Sequence, residues 1–255
     1  MVATPAGGLV ATNSERLPVK GRIINILEGL EMYTRVLYPR VFSESDERSI
    51  LDCIFDLSDR GRAGLPMERT YSEPKKWMRG KGRITIECGC CYNFTNDRQG
   101  NPPGILRYDQ VDPLPSIIKL MIKGIVRWSI LPATCIPNSF IINIYDKGDC
   151  IRPHVDHHDF VRPFNTVSYF SKSNILFGKK IGIVGPGEFR GTVKIPLQVG
   201  SVLVLKGNGA NVAKHCIPGV RHHRVFVTFH RMDNSKIPYG FQPDPKLEEL
   251  LSYKL

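Results

Sequence analysis

The chain has no apolar run approaching the roughly 20 residues that cross a bilayer, which argues against a helical membrane span. Its first residues, MVATPAGGLVATNSERLPVK, lack a basic segment followed by an apolar one, so no secretory signal is read and an intracellular protein, nuclear or cytoplasmic, is expected. The seven cysteines are an odd set without the spacing of a disulfide framework. Cys88, Cys90 and Cys91 cluster, but no second Cys/His pair completes a zinc finger, and they read as structural thiols. No internal repeat is present, which excludes propellers and solenoids. Acidic residues are the scarce charge: 24 Asp and Glu against 35 Lys and Arg leave a net charge of +11, so polyanions, nucleic acid first, are the expected partners.

What remains is an ordinary globular composition in 255 residues, enough for one large domain. Residues 1–20 are Ala, Gly, Pro, Thr and Ser-rich and read as a flexible tail, with 21–255 as a single domain. Ser43 and Asp46 form a capping-box pattern, after which Ile50, Leu51, Ile54 and Phe55 recur at helical spacing until Gly61. A second helix is predicted from about Ser116 to Trp128, with Ile117, Leu120, Met121, Ile125 and Trp128 as its apolar stripe and Lys119, Lys123 and Arg127 as a solvated row. From Ser139 onward the segments SFIINIY, NTVSYF, SNILF, GTVKIPL, SVLVLK and RVFVTFHR are short, β-branched or aromatic, and separated by turn signals. Helices followed by many short strands predict an α+β fold whose strands close as a sandwich, jelly roll or barrel.

The segment NIYDKGDCIRPHVDHHDF carries the first chemistry. His154 and Asp156 are separated by one residue, so on an extended chain both project to the same side. His215, beyond the SVLVLK strand and its GNGAN turn, is placed to join them in a closed β-structure. Two histidines and one carboxylate on one face leave open positions, the arrangement of non-haem Fe(II) sites, whereas zinc more often takes three or four ligands tetrahedrally. A lone HxD recurs by chance, and the plainer reading puts His154 in a surface loop. The preceding strand adds a second set, since Asn143 and Tyr145 share a face with Ile141. In RVFVTFHR, Arg224, Phe226, Thr228 and His230 share a face opposite Val225, Val227, Phe229 and Arg231. An Arg pointing into a β-core needs an anion there, and a dicarboxylate co-substrate supplies one.

These residues resemble the AlkB homologues, Fe(II)- and 2-oxoglutarate-dependent nucleic-acid dealkylases built on a double-stranded β-helix. The pattern is NIY, HVD, a distal HC, and an Arg-bearing strand ending in TF and a basic residue. WMRGKGR, GCCYNF, NPPGIL, DPLP, HDFVRPF and KHCIPGV look more closely like the plant branch that acts on N6-methyladenosine in RNA, and the resemblance covers about Tyr38 to Asp244. It implies a jelly-roll core at about 135–232 with N-terminal helices packed on it. It also implies His154, Asp156 and His215 as iron ligands, and Asn143, Tyr145 and Arg224 as the co-substrate site, with Thr228 and His230 on the same face. The implied activity is oxidative demethylation of N6-methyladenosine in single-stranded RNA with release of formaldehyde, by a monomer.

KKWMRGKGR holds Lys75, Lys76, Arg79, Lys81 and Arg83 around Trp77, with no acid. Composition alone reads it equally as a phosphate-neutralising segment or as a solvated loop anchored by one Trp. The resemblance makes residues 70–100 a nucleotide-recognition lid, with Trp77, Tyr92 and Phe94 available to stack bases and Tyr92 the expected base contact. His157, His158, His222 and His223 read as exposed loop histidines. One position departs from the family: where a second Arg follows the first by six residues, this chain has His230, then Arg231. Arg231 is one residue out of phase and faces away unless a bulge re-aims it. The alternative reading is therefore an AlkB-fold RNA-binding protein with weak or no turnover.

Overall fold

A computed structural model of the chain describes residues 22–28, 31–38, 41–74, 82–94, 102–191 and 193–250. It opens with a hairpin, β1 (Arg22–Glu28) and β2 (Glu31–Tyr38), then helix α1 (Glu44–Arg62). Short strands β3 (Tyr71–Ser72), β5 (Tyr92–Asn93) and β6 (Gly104–Ile105) surround the longer β4 (Ile84–Gly89), and α2 (Ser116–Arg127) follows. The strand-rich half holds β7 (Ser139–Tyr145), β8 (Ile151–His154), β9 (Phe160–Tyr169), β10 (Ser173–Gly178), β11 (Gly182–Gly185) and β12 (Glu188–Arg190). It continues through β13 (Val193–Leu197), β14 (Val202–Lys206), a helical turn α3 (Asn208–Asn211), β15 (Lys214–Ile217), β16 (Arg224–Met232) and the short helix α4 (Pro245–Glu248).

Eight strands form one sheet, in the order β1-β2-β14-β9-β16-β7-β4-β3, and four form another, β13-β10-β15-β8. The two pack face to face as the expected double-stranded β-helix. Period 2 decides which side each residue serves. On β16, Val225, Val227 and Phe229 join the core beneath the helices, where Ile50 and Ile54 of α1 and Met121 and Ile125 of α2 pack. Phe226 on the opposite face joins Tyr145, Phe164, Phe177 and Ile217 in the core between the sheets. Because both faces are covered, every residue of β7 is buried, which explains its nearly unbroken apolar run.

Local chemistry sets the helix ends. Ser43 caps α1: its hydroxyl accepts from the Asp46 N–H at 3.2 Å, and the Asp46 carboxylate accepts from the Ser43 N–H at 3.1 Å. The apolar stripe of α2 differs from the sequence expectation. Ile118, Ile122 and Val126 are buried, whereas Leu120 and Trp128 are 42% and 37% exposed. The helix buries the adjoining i, i+4 row, so Met121 and Ile125 sit at the margin shared by both readings. Nor is its basic row uniformly solvated, because Lys119 Nζ is 2.7 Å from Asp244 Oδ2 and ties α2 to the C-terminal segment.

Two further differences concern the N-terminal half. The sequence reading assigned no strand before α1, yet β2 pairs with β14 from Val202↔Tyr38 to Lys206↔Thr34 and extends the large sheet. The segment read as a lid contributes β4 to that sheet, where it pairs with β7. At the end of β4, Gly89 adopts φ +79°, and a Cβ there would lie 2.2 Å from the Asn138 carbonyl oxygen. Only glycine lets the chain turn there toward Tyr92.

Candidate metal and co-substrate site

Strands β8 and β15 are antiparallel, and their register sets His154 opposite His215. Asp156 follows β8 by two residues, and one donor atom from each of the three side chains lies within 4.8 Å of the others. Among the described residues this is the group of metal-ligating side chains gathered tightly enough to hold an ion. His154 Nδ1 lies 2.8 Å from the Arg152 carbonyl oxygen, which can only accept. Nδ1 is therefore the protonated nitrogen, and Nε2, 3.7 Å from Asp156 Oδ1, is left as the free lone pair. His215 Nε2 is 3.5 Å from Asp156 Oδ2. Burial pushes the Asp156 carboxyl up, but His215, His230 and His154 outweigh it and hold it well below the usual carboxylate range. An acid ionised in so crowded a place suits a divalent cation.

Two residues frame Asp156. His230 is 1% exposed, with Nε2 3.9 Å from Asp156 Oδ2, beyond hydrogen-bond length. Its ring stacks on Phe160 at 4.3 Å and tilts against Phe164 at 4.8 Å. Arg231 points away: Nη1 donates to the Ile136 carbonyl at 3.0 Å and to Glu248 Oε1 at 3.1 Å. The β9–β16 pairing does shift register between Phe229 and Arg231, where four residues of β9 face two of β16. The irregularity thus lies in β9, and β16 keeps its phase, so the residue that faces the site is His230, as the period-2 reading predicts. On β9, Arg162 is a residue the sequence reading missed. Its guanidinium donates to the carbonyls of Asp156 (2.7 Å), His157 (2.8 Å) and Phe160, and so gathers the backbone of the loop that carries the Asp156 carboxylate.

The cavity beside the triad is about 560 Å³, within the range of small-molecule sites. Arg224 on β16 and Tyr145 on β7 are paired in register and both fully buried. Arg224 Nη2 donates to Ser168 Oγ at 3.1 Å, while Nε, Nη1 and the Tyr145 hydroxyl have no partner among the described residues. Burial brings the Arg224 pKa down to about 10 and pushes the Tyr145 hydroxyl up. Buried donors without acceptors are costly, so the pair made by Arg224 and the cavity-lining Tyr145 suits an anion. Asn143 lies on the same wall; its Oδ1 accepts from Arg83 Nε at 2.5 Å. Arg83, expected from sequence at phosphate contacts, thus lines the cavity and braces Asn143. Thr228 also lines it, with Oγ1 3.5 Å from Thr166 Oγ1.

Of the remaining base-contact candidates, Lys76, Trp77, Arg79 and Lys81 lie outside the described residues. Phe94 is 44% exposed and lines the cavity. Tyr92 is buried; its ring stacks on His157 at 4.1 Å, and its hydroxyl lies 3.0 Å from His157 Nε2. His157 is therefore not the exposed loop residue expected from its composition, because the stack holds it. His223 differs likewise, with Nδ1 2.8 Å from Asp146 Oδ1 and its ring against Phe55 and Phe170; His158 and His222 are exposed as expected. Cys88, Cys90 and Cys91 are buried, and burial raises their thiol pKa values, which matches inert structural thiols.

No protein-family model matches the chain. It is 54% identical over 230 residues to RNA demethylase ALKBH9B of Arabidopsis thaliana, covering 90% of this chain and 44% of that protein. It is 26% identical over 214 residues to RNA demethylase ALKBH10B of the same plant, covering 84% of this chain and 37% of that one. RNA demethylase ALKBH5 of Xenopus tropicalis is 30% identical over 227 residues, covering 80% of this chain and 59% of the relative. The chain thus spans roughly half the length of the curated relatives it matches. Among solved structures, that described as the structure of OsALKBH1 superposes with a TM-score of 0.51 at 16% identity, over 77% of this chain and 97% of that one, a likeness of fold.

Proposed function

This chain belongs to the AlkB homologues, and from that premise we propose that it is an Fe(II)- and 2-oxoglutarate-dependent demethylase of N6-methyladenosine in single-stranded RNA. One observation carries the reading: a fully buried guanidinium with two unanswered donor nitrogens is paired in register with Tyr145, which lines the same cavity as a two-histidine, one-carboxylate cluster. The donor set fits both groups. His154, Asp156 and His215 would hold the iron, and Arg224 would receive the distal carboxylate of 2-oxoglutarate as a charge-assisted pair, with Tyr145 donating its hydroxyl and Asn143 positioned by Arg83.

When bound, iron and co-substrate supply the oxidising chemistry: O₂ is split between succinate, formed with loss of CO₂, and the N-methyl carbon, which leaves as formaldehyde from the free amine. The chain supplies the rest. The Arg152 carbonyl fixes the His154 tautomer, Arg162 gathers the Asp156 loop, and the aromatic core between the sheets keeps water from Arg224. Phe94 at the cavity is placed to meet an unpaired base, and the basic residues of the sequence KKWMRGKGR carry the charge that its phosphates would need. No described helix is long and apolar enough to cross a membrane, and we place the activity on nuclear or cytoplasmic RNA, carried out by a monomer.

The relatives carry the name RNA demethylase, which disfavours the alternative of a binding protein that lost turnover through His230. The test is formaldehyde and succinate release from a single-stranded RNA bearing one N6-methyladenosine, with Fe(II), 2-oxoglutarate and O₂. Stoichiometric release of both is expected; binding of the RNA without either product would overturn the reading.

A further inference from the structure

Registers across three strands order the cavity wall into rows. Arg224 faces Tyr145; Phe226 faces Asn143, which faces Thr85; Thr228 faces Ile141, which faces Glu87; His230 faces Ser139, which faces Gly89. Glu87 lines the cavity, while its neighbours Ile86 and Cys88 turn to the helix-side core. Its row is four residues along β16 from Arg224, about 14 Å of strand. A five-carbon diacid measures roughly 5 Å from first carbon to last. Anchored on Arg224, it does not reach Glu87. The neighbouring row is that of His230, which lies 3.9 Å from Asp156. Glu87 therefore stands at the metal end of the cavity, where the group to be oxidised must come.

Glu87 makes no side-chain hydrogen bond or ion pair among the described residues, although Arg83 on its own strand segment and Arg69 before β3 are near enough to act on it. The other titratable groups around it are the thiols of Cys88 and Cys91, with His230 across the cavity. Burial outweighs both arginines and raises the Glu87 carboxyl to about 8, so near neutral pH it is mostly the acid. A protonated carboxyl offers an O–H donor beside a carbonyl acceptor. With its methyl turned toward N7, N6-methyladenine presents the complement on its Watson–Crick edge, an N1 lone pair beside N6–H.

We propose that Glu87 reads the target base, its O–H donating to N1 and its carbonyl oxygen accepting from N6–H. It thereby selects neutral N6-methyladenine over cationic N1-methyladenine, which has no lone pair at N1. The inference rests on the demethylase reading above and assigns the specificity of that site to a residue outside the metal and co-substrate sets. Glutamine keeps a donor beside an acceptor, whereas alanine keeps neither, so the two substitutions separate hydrogen bonding from packing.

The experiment uses the protein reconstituted with Fe(II) and 2-oxoglutarate and two single-stranded RNAs, one with a single N6-methyladenosine and one with a single N1-methyladenosine. Formaldehyde release gives kcat/KM, and anaerobic fluorescence anisotropy gives Kd. Glu87→Ala should lower kcat/KM for the N6-methyl RNA about tenfold, weaken its binding, and shrink its advantage over the N1-methyl RNA, while Glu87→Gln stays within about threefold of the parent. An unchanged preference in Glu87→Ala, or equal damage by Gln and Ala, overturns the proposal. If the unsubstituted protein releases no formaldehyde from either RNA, the demethylase reading fails by itself, and the anisotropy comparison still decides whether Glu87 reads the base.

Discussion

His154 and His215 face each other at one register position of the antiparallel pair β8–β15, with ring centroids 4.3 Å apart. The two histidines come from positions 61 residues apart in sequence, and a single pairing choice brings them together. His154→Ala or Asp156→Ala should therefore abolish Fe(II) binding while the fold persists, because both residues edge a cavity and are not packed in a core cluster. Isothermal titration with Fe(II) under argon, beside a circular dichroism melt, checks both halves. Retained stoichiometric binding in either variant would remove the triad assignment.

Arg224 tests the anion end. Arg224→Met removes a buried, under-satisfied cation and replaces it with an apolar chain of similar length, so the protein without co-substrate should be as stable as the parent or more so. The KM for 2-oxoglutarate should rise on the order of 100-fold, the equivalent of roughly 3 kcal/mol for a charged hydrogen-bonded pair. Thermal melts and succinate kinetics give the two numbers, and an unchanged KM would displace the carboxylate from Arg224.

Glu87 makes a separate prediction about stability. Its folded pKa, about 8, lies above its ordinary 4.5, so the folded chain binds the extra proton between those values. This contribution is fully present below pH 4.5 and is lost as pH rises through 8. The melting temperature of the parent should fall relative to that of Glu87→Gln across this window, and converge with it at the acid end. Parallel curves from pH 4.5 to 9 would mean that the carboxyl is ionised throughout.

Arg162 donates to three carbonyl oxygens of the Asp156 loop, those of Asp156, His157 and Phe160. Arg162→Met should free those carbonyls, weaken Fe(II) binding, and speed amide hydrogen exchange at 156–160 without altering the KM for 2-oxoglutarate. Uniform loss of protection across both sheets would instead mark Arg162 as a general packing residue.

Much of this site was legible as spacing. HxD, the phase of Arg224 and His230, and the Ser43 cap all depend on local period, and the structure places these side chains accordingly. Glu87 and Arg162 were not legible, because a glutamate two residues from a threonine in ITIECG looks like any half-buried strand, and its role appears only when β4 is set beside β7. Tyr92 and His157 are 65 residues apart, and nothing in either segment signals that one will stack on the other. The stripe of α2 was misplaced for a related reason: with apolar residues on most of its circumference, the helix can bury more than one face, and the neighbouring elements choose.

His230 gives the sharpest test of phase. Its imidazole occupies the position that the family pattern gives to an Arg, faces the site, and stacks on Phe160 and tilts against Phe164 with neither ring nitrogen hydrogen-bonded. Arg231, by contrast, is bound to Ile136 and Glu248 on the outside of the sheet. His230→Arg places a permanent cation with several donors beside Asp156, and demethylation should be equal to or higher than that of the parent. Arg231→Ala should leave turnover within about twofold and cost about 1 kcal/mol of stability, through loss of the partly exposed tie to α4. Single-turnover formaldehyde release and urea melts measure the two effects. If His230→Arg were inactive and Arg231→Ala abolished turnover, the register irregularity would have to lie in β16, carrying Arg231 inward, and the facing assignments at this end of the strand would reverse.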